Sequence, residues 1–298
     1  MKNMIWRGVI PAITTPFNED MTVDHGFLAR HCQWLVENGC AGVVALGSLG
    51  EGATLTFAEK RAVLETCVRA IGDQAFVVAG VSALSTEDAV AIAKMAEEAS
   101  CNGLMVLPPY VYVGDWREMK AHVSAVMLAT SLSSMLYNNP IAYKVDFLPE
   151  QVAELMECCP TLDAIKESSA DIRRVAALRA LVGDRLEILC GVDDVIVEAV
   201  YAGAVGWIAG LVSAFPKESV DLFNLAMKGE KEKTFAIYKW FLPLLRMDTV
   251  PKFVQLIKLV QEEVGMGNQR VRAPRMVLTG SELAEAKKTI AEALANRP

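Results

Sequence analysis

Short apolar runs alternate along the chain with longer segments in which apolar residues recur at helical spacing. The runs begin at intervals of roughly 20 to 35 residues, the length that one strand and the helix after it occupy. Because a run that is apolar on both faces is typical of a strand covered on both sides, we predict a parallel sheet. Eight strands are predicted: residues 8–13, 42–46, 75–79, 103–107, 133–137, 162–166, 187–190 and 205–209.

The segments between the runs predict helices. In residues 27–36 and 89–96, for example, apolar positions follow the period of an α-helix. Eight strand and helix units fit a barrel better than a doubly wound sheet, since no Gly-x-Gly-x-x-Gly turn follows the first strand. We therefore predict an α/β fold, a (β/α)8 TIM barrel, over residues 1–215.

After Pro216 the pattern is wholly helical. Four helices are predicted there: residues 217–228, 230–246, 251–264 and 281–295. We interpret residues 216–298 as a C-terminal helical extension that packs on the barrel, and not as a separate domain.

Composition and charge narrow the function classes. The 298 residues, 53% of them hydrophobic, are enough to bury a full core. A net charge of -7 leaves no basic stripe for phosphates, so we predict no nucleic-acid partner. The start lacks the apolar run of a signal peptide and no long apolar stretch is uninterrupted, which predicts no membrane contact. Seven cysteines without CxxC spacing predict neither disulfides nor a zinc site and fit a reducing cytoplasm.

Three side chains suited to imine chemistry follow predicted strands, where barrel enzymes place their working residues. Lys166 ends the sixth strand; burial among apolar neighbours would lower its pKa and free its amine to attack a ketone. Tyr137 ends the fifth strand and offers a phenol for proton transfer. Ser48 lies in a glycine-containing turn that could aim backbone amides at a carboxylate, and its hydroxyl could pass protons to Tyr137.

Each of these residues also has a structural interpretation. Lys166 could pair its charge with Glu167 at the barrel rim, and Tyr137 could plug the barrel mouth. A glycine and serine turn can follow any strand of such a barrel. Residues 191–194 and 206–210 are further turns that could close a pocket, although the two aspartates of the first turn could equally be helix caps.

The remaining metal-binding residue types do not form a site. The three histidines lack ligand partners at helical spacing: His25, His31 and His122. The pair Cys158-Cys159 is typical of helix packing. We predict no metal.

Five motifs, taken in order, resemble those of the dihydrodipicolinate synthase and N-acetylneuraminate lyase superfamily. They are Gly47-Ser48-Leu49-Gly50-Glu51, Pro109-Tyr110, Tyr137-Asn138-Asn139-Pro140, Ile165-Lys166-Glu167-Ser168 and Gly191-Val192-Asp193-Asp194. The resemblance covers nearly the whole chain. It implies a barrel with extra C-terminal helices, assembled as a homotetramer or homodimer. It also implies a Schiff base between a lysine and a 2-oxo acid such as pyruvate, without metal or organic cofactor.

The resemblance assigns a role to each candidate. Lys166 would form the imine, Tyr137 would shuttle protons, and Ser48 with the Leu49 amide would hold the substrate carboxylate. Further substrate-binding candidates are Gly47, Tyr110, Asn139, Ala142 and Ile208, the last of which matches the family's pocket residue on the final strand.

Three positions depart from the dihydrodipicolinate synthases. Those enzymes carry two threonines where this chain has Ser48 and Leu49, and an arginine where it has Ala142. The tyrosine that they insert from a neighbouring subunit would fall at Val111, although Tyr110 or Tyr112 could reach the same space. These differences argue against lysine biosynthesis. The apolar character of the segment around Ala142 also argues against the long sugar acids of sialic acid lyases.

A smaller hydroxylated 2-oxo acid, or its cyclic imine, fits better. The leading specific prediction is the dehydration and deamination of 1-pyrroline-4-hydroxy-2-carboxylate to 2-oxoglutarate semialdehyde, a step of hydroxyproline breakdown. The alternatives are an aldolase for 4-hydroxy-2-oxoglutarate or a 2-keto-3-deoxy sugar acid, and a dihydrodipicolinate synthase. All of these reactions pass through the same enamine intermediate, so the sequence separates them poorly. Two hypotheses of another class remain. One is a catalytically silent barrel that binds a small acid or a protein. The other is a phosphate-binding barrel, because residues 203–210 resemble, although only loosely, a glycine-rich phosphate-binding loop.

Overall fold

The computed structural model describes residues 4–110 and 112–298. Eight strands in these ranges form one parallel sheet. In chain order they are β1 (Gly8–Val9), β2 (Gly42–Ala45), β3 (Phe76–Val81), β4 (Gly103–Val106), β5 (Ser133–Asn138), β6 (Leu162–Glu167), β7 (Glu187–Cys190) and β8 (Gly206–Trp207). The sheet order is β1-β8-β7-β6-β5-β4-β3-β2.

The two ends of this order, β1 and β2, also meet. Ala12 forms a parallel bridge with Val44, and the N–H of Ile13 donates to the Val44 carbonyl at 3.0 Å. The N–H of Val44 in turn donates to the Pro11 carbonyl at 2.8 Å. The sheet therefore closes into a (β/α)8 barrel, and the predicted fold class is confirmed.

Most strands lie where the apolar runs predict them. β7 has the predicted bounds, whereas β1 and β8 span 2 residues each and are shorter than their runs. Ile10 and Ala12 still donate to carbonyls of the eighth strand segment, at 2.9 Å each. Pro11 has no N–H to donate toward β2, however, and the ladder on that side is interrupted.

Helices connect the strands on the outside of the barrel. They are α1 (His25–Glu37), α2 (Phe57–Ile71), α3 (Thr86–Glu98), α4 (Trp116–Met127), α5 (Pro140–Tyr143), α6 (Pro149–Cys158), α7 (Arg173–Val182) and α8 (Ile196–Ala202). Short polar side chains accept hydrogen bonds from the first-turn amides of five of them: Asp24 of α1, Thr56 of α2, Ser85 of α3, Asp115 of α4 and Asn139 of α5. The two helices predicted from residues 27–36 and 89–96 are thus confirmed as α1 and α3.

Four helices follow β8: α9 (Pro216–Met227), α10 (Lys231–Leu245), α11 (Phe253–Glu263) and α12 (Gly280–Ala295). Their bounds lie close to the predicted ones. α9 packs against α8 and β1, which is the place of the eighth helix of the barrel. α10 packs on α9 and α12, so the helices beyond the barrel proper are α10 to α12. None of the helices in the described ranges is both long and apolar enough to cross a membrane.

Candidate active site

Lys166 lies near the C-terminal end of β6, in register with Tyr137 of β5 and Leu189 of β7. Only 6% of Lys166 is exposed, and its Nζ lies 4.1 Å from the centroid of the Tyr137 ring. The face of an aromatic ring attracts an ammonium group, so this contact holds the end of the lysine in place. The two side chains that were expected to work together are therefore in contact.

Glu167, the alternative partner for Lys166, is engaged elsewhere. Its Oε2 accepts a hydrogen bond from Asn138 Nδ2 at 3.0 Å, and its Oε1 accepts one from the Ser169 N–H at 2.7 Å. Successive side chains of a strand point to opposite faces of the sheet, which separates Glu167 from the lysine before it. The structure does not support an ion pair between Lys166 and Glu167.

Burial lowers the pKa of Lys166, because the ammonium form loses its hydration. Electrostatic interactions with Asp248, Tyr143 and Asp193 oppose this shift. Gly191 packs closely over the same side chain: a Cβ there would lie 2.7 Å from the lysine Cγ and Cε. Burial thus favours an uncharged amine, and Gly191 keeps the space that the lysine occupies.

The Tyr137 phenol is also buried, and burial raises its pKa to about 12. Its oxygen accepts a hydrogen bond from Asn139 Nδ2 at 3.0 Å. Asn139 is held in turn as the cap of α5, since its Oδ1 accepts the Ala142 N–H at 3.0 Å. The phenol is therefore oriented by a neighbour and remains protonated at neutral pH.

The partner of Ser48 is Tyr143, which the sequence did not single out. The two hydroxyls share a short hydrogen bond. The Tyr143 ring stands edge-on to Tyr137, with centroids 5.8 Å apart, and the Tyr110 ring is tilted against it, with centroids 6.0 Å apart. Burial raises the pKa of Tyr143. The direct partnership expected between Ser48 and Tyr137 is therefore replaced by one in which Tyr143 stands between them.

The turn that carries Ser48 is tightly folded. Leu46 and Glu51 both have positive φ, 65° and 53°, in a region that L-residues seldom adopt. A Cβ at Gly52 would lie 2.1 Å from the Leu46 carbonyl oxygen, so only glycine fits there. α2 begins only at Phe57, after a 3-10 turn of residues Gly52–Thr54. Ser48 and Leu49 therefore lie in the loop between β2 and this 3-10 turn, and not at the start of α2.

The other candidate residues divide between the pocket and the surface. A Cβ added at Gly47 would lie 3.3 Å from the Met105 methyl group. Leu49 and Ile208 are buried. Ala142 is exposed on α5. The loop aromatics also differ: Tyr110 contacts Tyr143, as noted, whereas Tyr112 is 58% exposed and donates to Glu118 at 2.9 Å. Val111 lies outside the described residues.

Two carboxyl groups complete the surroundings of Lys166. Asp193, considered as a helix cap, begins a 3-10 turn but accepts hydrogen bonds from Trp207 Nε1 at 3.2 Å and the Leu211 N–H at 3.0 Å. Burial raises its pKa to about 7. Asp248 comes from the turn after α10, and its pKa is also raised. Only the fold brings Asp248 to the site, because no sequence motif connects it to the strands.

A closed (β/α)8 barrel with a buried lysine, two phenols and a hydroxyl at its mouth defines a lyase-type barrel enzyme. Sequence comparison agrees with this class: residues 5–293 match the dihydrodipicolinate synthetase family. The chain belongs to that family.

Relatives and solved structures match over nearly their full lengths. The 4-hydroxy-tetrahydrodipicolinate synthase of Agrobacterium fabrum is 29% identical over 272 residues, covering 91% of this chain and 92% of its own. That of Methanocaldococcus jannaschii is 28% identical and covers 97% of each. The solved 4-hydroxy-tetrahydrodipicolinate synthase of Methylacidiphilum fumariolicum superimposes with a TM-score of 0.91, at 26% identity and 97% coverage of both chains.

Proposed function

We propose that this protein is a Schiff-base-forming lyase that acts on a small 2-oxo acid, or on its cyclic imine, through Lys166. The observation that carries the proposal is the burial of the Lys166 amine against the face of Tyr137, with Glu167 bonded elsewhere. A lysine deprived of hydration gives up its proton more readily and becomes a nucleophile. A catalytically silent barrel would have no need of a buried lysine in this position.

The first chemical step is attack of the Lys166 amine on C2 of the substrate. In an open 2-oxo acid the carbonyl oxygen leaves as water, and in a cyclic imine the ring nitrogen leaves as an amine that stays attached to C5. Tyr137 lies beside the lysine and is protonated at neutral pH, so it serves as the proton donor and acceptor for this step. The resulting imine carries a positive charge and draws electrons from C3, which makes a C3 proton acidic.

The substrate carboxylate would occupy the turn after β2. Ser48 and the amide of Leu49 lie in this turn, and a backbone folded as tightly as this one can direct N–H groups at an anion. The hydrogen bond between Ser48 and Tyr143 would carry protons between the seat of the carboxylate and the phenol beside Tyr137. Tyr143 belongs to the same chain, so this pair is complete within one subunit.

The leading specific reaction is the conversion of 1-pyrroline-4-hydroxy-2-carboxylate to 2-oxoglutarate semialdehyde. After the ring opens, loss of a C3 proton gives an enamine that expels the C4 hydroxyl as water. A C5 proton then moves to C3, and the C4–C5 double bond so formed takes a proton at C4, which converts the C5 amine into an imine. One water hydrolyses this imine and releases ammonia and a second frees the lysine, so the net change is gain of one water and loss of ammonia. Ala142 supports this choice over a dicarboxylic product, because it offers no cation where the family's synthases place an arginine.

The curated relatives favour a second candidate within the same chemistry. They are named 4-hydroxy-tetrahydrodipicolinate synthases, which would use the same enamine to form a carbon-carbon bond. An aldolase for 4-hydroxy-2-oxoglutarate or a 2-keto-3-deoxy sugar acid would break that bond. We infer from the family that the enzyme needs no metal or organic cofactor and assembles as a homotetramer or homodimer.

Trapping of the imine tests the proposal. Incubation with pyruvate and borohydride should add a reduced pyruvyl group to the peptide that contains Lys166, and the Lys166→Ala variant should neither trap pyruvate nor turn over any substrate. Lys144→Ala is the matched control, since Lys144 is an exposed lysine close to the site in sequence and its Nζ donates to the Ile141 carbonyl at 3.0 Å. Absence of label on Lys166 would refute the proposal.

A substrate panel separates the reactions that share the imine. It consists of 1-pyrroline-4-hydroxy-2-carboxylate, 4-hydroxy-2-oxoglutarate, a 2-keto-3-deoxy sugar acid, and pyruvate with aspartate semialdehyde. We expect the first to be turned over most rapidly and the last pair least. Rapid condensation of the last pair would overturn the argument from Ala142 and leave the imine intact.

A further inference from the structure

A carboxyl group from the helical extension reaches the same pocket. Asp248 ends the 3-10 turn Arg246–Asp248, which connects α10 to α11. Its Oδ1 is shielded from solvent and has no hydrogen-bond partner within residues 4–110 and 112–298. A buried polar atom without a partner costs on the order of 1–3 kcal/mol, so its retention calls for an explanation. The polar group of a bound substrate would provide the missing partner.

The position of Asp248 is fixed by close packing at the end of the barrel. A Cβ at Gly210, in the loop after β8, would lie 2.2 Å from its Oδ1, so the carboxyl occupies space that only glycine leaves open. Arg246 pairs with Asp194 at 3.6 Å, and Tyr238 of α10 donates to the Asp194 carbonyl. These contacts join the Asp248 turn to the turn after β7.

Asp248 and Asp193 both interact electrostatically with Lys166, but they differ in whether an oxygen is free to form a further hydrogen bond. The charge of each interacts with that of the Lys166 ammonium. Both oxygens of Asp193 are already occupied, by the Trp207 indole and the Leu211 amide. Two neighbouring carboxyl groups cannot both ionise readily, which favours a proton on one of them. Asp248 is the one with an oxygen free to pass that proton on.

The surroundings of Lys166 therefore contain two kinds of acid, phenols and a carboxyl group. The phenols of Tyr137 and Tyr143 lie on the side of β5 and β2, and burial raises the pKa of both. Asp248 lies on the side of β7 and β8, next to Gly210. A carboxylic acid gives up its proton far more readily than a phenol does, so it is the better donor to a leaving hydroxyl.

We propose that Asp248 is the acid that protonates the leaving hydroxyl, and that this site takes 2-oxo acids or cyclic imines with a hydroxyl two carbons from the imine carbon. The step starts from the enamine on Lys166. The nitrogen lone pair re-forms the bond to C2, the C2–C3 pair moves to C3–C4, and the C4–O bond breaks. The oxygen takes the proton of Asp248 and leaves as water, and solvent returns a proton to the carboxylate. This inference rests on the proposed function.

Two partial reactions test the inference separately from the imine. Exchange of the pyruvate methyl hydrogens in D2O, followed by NMR, reports imine and enamine formation, for which no hydroxyl has to leave. Turnover of 1-pyrroline-4-hydroxy-2-carboxylate requires the elimination as well. Asp248→Asn should keep exchange within about tenfold of wild type and lose turnover by about a hundredfold or more, the scale of acid assistance. Asp248→Glu, which retains an acid, should recover part of the loss.

Asp221→Asn is the control, since Asp221 lies on α9, pairs with Lys217 at the surface and takes no part in holding the Asp248 turn, so both rates should stay near wild type. An equal loss of exchange and of turnover in Asp248→Asn would overturn the inference, because Asp248 would then act in imine or enamine formation on Lys166 and not in the elimination. Unchanged turnover would overturn it as well, as would a wild-type enzyme that exchanges pyruvate without eliminating the hydroxyl. A wild-type enzyme that neither exchanges nor traps pyruvate would instead refute the proposed function.

Discussion

The Tyr143→Phe substitution tests whether the pair of hydroxyls works as a proton relay. It removes one oxygen and keeps the ring, so the contacts of Tyr143 with Tyr137 and Tyr110 are retained. What is lost is the hydrogen bond with Ser48. The substitution therefore separates the chemistry of the phenol from its packing.

The expected effects on stability and on rate differ in size. Loss of one partly buried hydrogen bond costs about 0.5–1.5 kcal/mol of folding free energy, since Ser48 can bond to water instead. Loss of acid-base assistance costs a factor of about 10²–10⁴ in kcat, or roughly 2.7–5.5 kcal/mol of transition-state stabilisation. A rate loss of this size cannot arise from partial unfolding of a protein that is destabilised so little.

The assay compares kcat and KM for the best substrate of the panel across Tyr143→Phe, Ser48→Ala and the double variant. Residues that act as one relay are not additive, so the double variant should be little slower than the slower single one. Tyr201→Phe is the control, because it removes a phenol that is 49% exposed on α8. A Tyr143→Phe enzyme within about twofold of wild type, or a double variant whose losses multiply, would refute the relay.

Three further predictions concern the buried lysines Lys166 and Lys258. The rate of imine formation with pyruvate should rise with pH to a plateau whose midpoint lies below the ordinary lysine value of 10.5, because burial lowers the pKa of Lys166. A midpoint at or above 10.5 in rapid trapping would contradict this. Lys258→Met should destabilise the fold by about 3–5 kcal/mol in urea unfolding, because it leaves Glu51 buried without its partner at 2.6 Å. Burial lowers the pKa of Lys258 to about 8, so the unfolded protein binds more protons than the folded protein between pH 8 and 10.5. The free energy of unfolding that this lysine contributes should therefore rise with pH over that range. A difference in unfolding free energy between wild type and Lys258→Met that shrinks from pH 8 to 10.5 would contradict the assignment.

The fold could be predicted because the signals that specify it are local. Eight apolar runs and the helical periods between them place the strands to within a few residues, and a parallel sheet of eight units closes in essentially one way. The misses at β1 and β8 arise from Pro11 and from the short ladder that the two strands share. Lys166 and Tyr137 could be placed side by side for the same reason, since consecutive strands of a barrel are neighbours.

The rest of the site depends on how loops and the extension fold back, which periodicity does not encode. Tyr143 reaches Ser48 because Pro140 starts the short α5 immediately after β5 and turns the chain over the barrel mouth. The sequence offers several tyrosines and no means of ranking them. Asp248 is still harder to find, since it resembles any aspartate at the end of a helix until α10 is docked on the turn after β7.

The helical extension contacts the surroundings of the site at two places. On one side Lys258 of α11 donates to Glu51, at the end of the Ser48 turn, and the Arg272 N–H donates to the other oxygen of the same carboxylate at 2.9 Å. On the other side the turn after α10 delivers Asp248 next to Gly210. A buried carboxylate with two fixed donors resists movement, so the turn that would hold the substrate carboxylate is braced before substrate arrives. Substitutions at the interface between α11 and this turn should therefore affect substrate binding although they touch no substrate atom.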